Sequence, residues 1–158
     1  YTGECNKRGQ PHSDNGQCVW PTGFEYNGEW TRGKLWGAGQ LRNHENNYLY
    51  SGDWVRNFRH GDGIEHCPNN DIYVGQFDRN WRSGHGLYKF WNADAQHELE
   101  YRGNFKKDVP HGHGTLRLSA SGQVVYSGMW RNGMPVTPVT DPEAIPQVWS
   151  ASGKLNIS

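Results

Sequence analysis

A short signature returns six times along this chain, and a chain that repeats itself at such close intervals has to fold as a stack of like units. Tyr26-Asn27-Gly28-Glu29-Trp30, Tyr50-Ser51-Gly52-Asp53-Trp54, Tyr73-Val74-Gly75-Gln76-Phe77, Tyr101-Arg102-Gly103-Asn104-Phe105 and Tyr126-Ser127-Gly128-Met129-Trp130 share the pattern Tyr-x-Gly-x-aromatic. Tyr1-Thr2-Gly3-Glu4-Cys5 is a sixth copy with Cys in the aromatic place. Successive tyrosines stand 25, 24, 23, 28 and 25 residues apart. A Gly-x-Gly pair follows in four units, at Gly37 and Gly39, Gly61 and Gly63, Gly84 and Gly86, and Gly112 and Gly114. In the first copy this pair is degraded to Asp14 and Gly16, and in the last it is missing.

The spacing within the signature selects extended structure. Side chains alternate along a strand, so Tyr, Gly and the aromatic ring share one face while the mostly polar residues between them take the other. A glycine between two large rings leaves a gap, which a ring of a neighbouring strand is expected to cover. Seven residues after each repeat tyrosine stand Gly33, Asn57, Asn80, Asp108 and Gly133, all of types that tolerate positive φ. They mark a tight hairpin turn in every unit. One hairpin cannot bury its own aromatic face, so it must stack on the next. The expectation is an all-β, elongated, twisted antiparallel meander of stacked hairpins, with a rod length of about 50 Å.

The repeat region is expected to run over residues 1–134, with units starting at 1, 26, 50, 73, 101 and 126. After Gly133 the pattern stops. Pro135, Pro138, Pro142 and Pro146 disfavour a further hairpin, which leaves 135–158 as an extended tail, docked through Val148 and Trp149. The 28-residue fourth unit is expected to carry its surplus as a loop from Trp91 to His97.

Composition narrows the function classes. Glycine fills 21 of 158 positions, about twice the usual share, and 21 aromatic residues supply the buriable surface. Lys and Arg number 16 and Asp and Glu 16, so no bulk charge calls for nucleic acid as a partner. No apolar run reaches the length of about 18 residues needed to span a bilayer as a helix. Three cysteines without CxxC spacing indicate a reducing, cytoplasmic setting. The sequence opens at Tyr1 without Met, as expected of a processed product or an excerpt of a longer chain. Asn156-Ile157-Ser158 fits a glycosylation sequon, a match short enough to arise by chance.

No catalytic residues are expected. None of the Gly-x-Gly pairs completes a dinucleotide fingerprint, and Ser152-Gly153-Lys154 lacks the glycine spacing of a phosphate loop. Of the eight histidines, His60, His66, His111 and His113 fall at repeat or loop positions spread along a rod, so no metal and no cofactor is expected. His60 and His111 are read as framework residues whose rings bond a neighbouring strand. Glu29, Asp53 and Asp78 precede turns and are read as solvated.

Two surfaces are candidates for binding. Tyr26, Trp30, Tyr50, Trp54, Tyr73, Phe77, Tyr101 and Phe105 are mostly core, but a sheet that curls without closing would leave them as an aromatic groove for a helical or extended partner segment. Cations recur just before the turns, at Lys7, Arg32, Arg56, Arg79 and Lys107, with Lys34, Arg59 and Arg82 just beyond. They form a row along one edge at a spacing of about 10 Å. As an anion-binding set, Arg32, Arg56, Arg59, Arg79, Arg82 and Lys107 would suit acidic protein tails or phosphoinositide headgroups. The end edges of an open sheet would be hidden by self-association.

The signature, followed by a turn residue and a His-Gly-x-Gly run such as His111-Gly112-His113-Gly114, resembles the MORN repeat over roughly residues 1–134. The resemblance implies a hairpin stack that serves as a protein-protein interaction scaffold, often in cilia, cytoskeletal structures and membrane junctions. Some members instead precede catalytic domains, which implies a regulatory segment of a larger enzyme as an alternative, beside weak contact with anionic lipid. The chain departs from the family where Trp36 and Ser83 replace the His of the His-Gly pair.

Overall fold

The computed structural model describes residues 1–93 and 96–138. Its elements are β1 (Ser13–Val19), β2 (Phe24–Thr31), β3 (Lys34–Asn43), β4 (Tyr48–Val55), β5 (Phe58–His66), β6 (Ile72–Asp78), β7 (Trp81–Asn92), β8 (His97–Lys106), β9 (Val109–Leu118), β10 (Val124–Arg131) and β11 (Met134–Pro135). Among the described residues these eleven strands form one sheet in sequence order, and each pairs antiparallel with the next. The all-β hairpin stack expected from the repeat is therefore the observed architecture. Among the described residues no helix is long and apolar enough to cross a membrane.

Each repeat turn spans two residues. Thr31 pairs with Lys34, Val55 with Phe58, Asp78 with Trp81, Lys106 with Val109 and Arg131 with Met134. Both central residues have positive φ, for example Arg56 at 52° and Asn57 at 71°, or Arg79 at 48° and Asn80 at 73°. That is the type I′ geometry whose twist matches the flanking strands.

Glycines cross the sheet in register. Gly16, Gly28, Gly39, Gly52, Gly63, Gly75, Gly86, Gly103, Gly114 and Gly128 pair one with the next from β1 to β10. Tyr26, Tyr50, Tyr73 and Tyr101 each cover two glycines of this ladder, the one on the tyrosine's own strand and the one paired with it on the next strand. The Tyr50 hydroxyl donates to the Asp53 carbonyl at 3.0 Å, which folds the ring back over Gly52, and a Cβ on Gly63 would fall 2.6 Å from that ring. Tyr26, Tyr73, Tyr101 and Tyr126 make the same bond to the carbonyl three residues on. On the other side, the indole N–H groups of Trp30, Trp54 and Trp130 donate to the Gly16, Gly39 and Gly114 carbonyls.

The other glycine of each pair bends its strand. Between the Gly52–Gly63 and Trp54–Arg59 pairs, Asp53 alone faces His60, Gly61 and Asp62, and Gly61 takes φ of 61°. The bend is visible in what it brings together. Arg59 and Glu65 lie six residues apart on β5, about 20 Å in a flat strand, yet their side chains meet in an ion pair. The sheet is creased along the glycine ladder into a trough.

Aromatic rings fill that trough as one continuous series. Tyr26 contacts Trp30 and Trp54, Tyr50 contacts Trp54 and Phe77, Tyr73 contacts Phe77 and Phe105, and Tyr101 contacts Phe105 and Trp130, all edge-to-face with centroids 5.1–5.5 Å apart. Such pairs contribute about 0.5–1.5 kcal/mol each beyond their burial.

Three local details depart from the expected organisation. The fourth unit's surplus extends both strands, with Phe90 opposite Leu99 and Asn92 opposite His97, so less of it is loop. The first copy keeps its geometry without a regular strand, since Tyr1 bonds the Glu4 carbonyl at 3.0 Å and meets the Trp30 ring at 5.2 Å. Past Gly133, Met134 and Pro135 form a short strand on β10, a place where Pro is tolerated because the edge needs no further donor. Pro142, Pro146, Val148, Trp149, Ser152-Gly153-Lys154 and the Asn156 sequon lie outside the described residues.

Candidate binding surface

The eight aromatics expected to line a groove are packed inside. Tyr26, Tyr50, Tyr73 and Tyr101 are fully buried, and Trp30, the most exposed of the eight, reaches only 6%. The expected open groove is closed by two rows of the chain's own side chains. Nine residues after the repeat tyrosines come Leu35, Arg59, Arg82, Pro110 and Pro135, and fifteen after come Leu41, Glu65, Tyr88 and Leu116. The crease swings these two rows toward each other over the rings. Arg59 lies 5.0 Å from the Phe77 centroid, and Arg82 lies 5.1 Å from that of Tyr73 and 4.5 Å from that of Tyr88.

This corrects the placement of Arg59 and Arg82, which were expected on the cationic edge. Both are fully buried and hold one Glu65 carboxylate between them, Arg59 at Oε1 and Arg82 at Oε2 with 2.8 Å. Tyr48 donates to Glu65 and accepts from Arg59, and Arg82 also donates to the Cys67 sulfur at 3.1 Å. Burial alone would lower the Arg82 guanidinium's affinity for its proton, but Glu65, together with Cys67 and Tyr88, offsets it and holds the pKa above the usual value. Burial, reinforced by Glu65, pushes the Cys67 thiol up to about 11, so it stays protonated and inert at neutral pH. Leu, Pro and Tyr hold the equivalent positions in other units, so nothing in the repeat pattern flagged this charged cluster.

The turn residues do more than supply positive φ. Asn57 Oδ1 accepts the Leu35 N–H at 2.8 Å, Asn80 Oδ1 the Arg59 N–H at 2.8 Å, and Asp108 Oδ1 the Arg82 N–H at 2.8 Å. Gly33 and Gly133 occupy the same place against Pro11 and Pro110, which have no N–H to offer. The Asn-or-Gly choice thus follows the residue it faces in the preceding hairpin, a signal readable in the sequence once the stacking register is known. Likewise Glu29 and Asp53 are not simply solvated, because their carboxylates accept the Ala38 and Asp62 N–H groups and secure the bend. Gln76 does the same for His85.

The rest of the expected cation row does reach solvent. Arg32, Arg56, Arg79 and Lys107 are exposed at consecutive turns, two strands and about 10 Å apart. None of the four is in an ion pair with a described residue. Three other surface cations are matched, Arg42 with Glu25 at 3.0 Å, Arg117 with Glu100, and Lys89 with Glu98 at 3.9 Å. Lys7, Arg8, Lys34, Arg102, Lys106 and Arg131 are, like the row, in no ion pair with a described residue. The Arg42 guanidinium accordingly holds the Glu25 carboxyl below its usual range. Lys7 and Arg8 continue the basic character past Arg32 around an open hollow of about 390 Å³. His60 Nδ1 sits 3.4 Å from Asp78 Oδ1, and His111 Nδ1 accepts the Asn132 N–H at 3.5 Å, as expected of rings that bond neighbouring strands. No group of three or more His, Cys, Asp or Glu side chains placed to hold a metal ion occurs among the described residues.

A single creased antiparallel sheet of repeated hairpins, with the repeat rings sealed inside, defines a hairpin-stack repeat protein. The chain belongs to the MORN repeat family, whose profile matches residues 26–43, 50–72, 73–90, 101–120 and 126–136, more than half of its length. Repeats of this family generally mediate protein or membrane-lipid interactions. No curated protein matches the chain in a comparison of whole sequences.

Proposed function

We propose that this chain is a non-catalytic interaction module that binds an acidic protein segment along its turn edge. The observation that carries this reading is the row of Arg32, Arg56, Arg79 and Lys107, exposed, spaced two strands apart and in no ion pair with a described carboxylate. Aromatic anchoring along a groove is replaced as the binding mode because the rings are spent on holding hairpins together. Long cationic side chains on rigid turns suit an extended run of Asp and Glu, which needs no fixed shape to follow them. The non-catalytic part of the reading rests on the family, whose repeats generally serve as binding modules. A place in a ciliary or cytoskeletal assembly is proposed on the family alone.

Fluorescence anisotropy with a labelled polyglutamate peptide tests this. Binding is expected to fade as salt shortens the screening length from about 10 Å at 0.1 M to about 3 Å at 1 M, well under the cation spacing. Joint reversal of Arg56 and Arg79 to Glu is expected to abolish it. Salt-insensitive binding, or affinity unchanged by the reversal, contradicts the proposal.

A further inference from the structure

The turn edge is not uniform along its length. Five residues after the repeat tyrosines stand Thr31, Val55, Asp78, Lys106 and Arg131, and only Val55 is apolar. Val55 pairs with Phe58 across the turn. On its other side, the pairing of Gly37 with Trp54 sets Trp36 beside Val55. The next repeat shows that such a pair does meet, because His60 and Asp78, the counterparts of Trp36 and Val55, lie 3.4 Å apart. Trp36 is 36% exposed and Phe58 46% exposed. Trp81, Val109 and Met134 repeat the Phe58 position, but the counterparts of Trp36 and Val55 beside them are polar or charged. The three-residue apolar cluster therefore sits at one place on the edge, with exposed Arg32, Lys34 and Arg56 around it.

We infer that Trp36, Val55 and Phe58 form an anchor site for one bulky apolar side chain of the acidic partner segment, an inference that rests on the turn-edge reading above. The cations supply attraction without register, since any run of carboxylates can slide along an even comb. A single apolar contact fixes where along the row the partner stops. Charge complementarity commits the occupant to an acidic segment. The edge suits a flat anionic bilayer less well, for exposed Asp78 interrupts the row and the Trp36–Val55–Phe58 combination does not recur with the cations.

Two labelled peptides of about twelve residues, long enough to span the four turns, test this on the full chain. One is all glutamate and the other carries a central tryptophan. The tryptophan peptide is expected to bind about tenfold tighter, with that gain surviving added salt. In Trp36→Ser and Phe58→Ser variants the gain is expected to vanish while the all-glutamate peptide binds as before, and an unchanged circular dichroism spectrum shows that the sheet is intact. Equal affinity of the two peptides for the unaltered chain overturns the anchor while leaving the cation comb standing. So does a gain that survives both substitutions. Failure of both peptides overturns the comb and the anchor together, and binding to phosphatidylserine vesicles in that case assigns the edge to membrane.

Discussion

Asn57 and Leu35 hold each other by two hydrogen bonds across 22 residues of sequence: the Asn57 side chain accepts the Leu35 N–H at 2.8 Å, and the Asn57 N–H returns a bond to the Leu35 carbonyl at 3.1 Å. The turn of one hairpin thereby closes the end of the one before it. Asn57→Gly keeps the positive φ but orphans a buried amide, which is expected to cost about 1–3 kcal/mol in urea unfolding. Gly33→Asn, facing Pro11, is expected to gain nothing from its new acceptor.

The buried Arg59–Glu65–Arg82 cluster predicts strong non-additivity. Glu65→Leu alone strands two guanidinium groups away from water and is expected to destabilise the chain by about 3–5 kcal/mol. Replacing all three residues by Leu restores the apolar lining that Leu35 and Leu41 give the first full hairpin, and is expected to return most of that loss. Equilibrium denaturation of the single and triple variants compares them directly.

Steric and conformational demands on glycine separate cleanly. Gly63 has no left-handed requirement, yet its Cβ would enter the Tyr50 ring, so Gly63→Ala is expected to cost about 1–3 kcal/mol by overpacking. Gly9 has open space around it and φ of 71°, so Gly9→Ala is expected to cost about 1–2 kcal/mol from strain alone. Only the first should perturb tyrosine fluorescence and near-UV dichroism.

High pH should dissolve the fold through its tyrosines. Burial raises the Tyr26, Tyr50, Tyr73 and Tyr101 phenols above the ordinary value of 10. The neutral form is then favoured by folding, so this stability is complete below pH 10 and is lost as pH climbs through the folded-state values. Tyrosinate absorbance is expected to rise together with loss of strand dichroism. Ionisation well before unfolding would contradict the burial.

The hairpin stack was legible because Tyr, Gly and aromatic recur with the period of a strand and because the turn residues fall at a fixed offset. What stayed hidden was the crease. Nothing in Gly61 or Gly84 as residue types tells a sharp bend from a flat strand, so the rings looked available for a groove, and Arg59 and Arg82 looked like members of the edge row with Arg56 and Arg79. A difference of three residues along the strand, from Arg56 to Arg59, separates solvent from core once the sheet folds over. The exposed part of the cation row was legible, since a residue at the tip of a two-residue turn has little to pack against.

Mapping an acidic peptide onto the chain by amide chemical shifts tests the central claim most directly. Perturbations concentrated at Arg32, Arg56, Arg79, Lys107 and their turn neighbours, with the Gly52–Gly63 and Gly75–Gly86 amides unmoved, are the predicted result. Shifts that run along the glycine ladder and the buried tyrosine strands instead would show that the trough opens to admit a partner, and would contradict it.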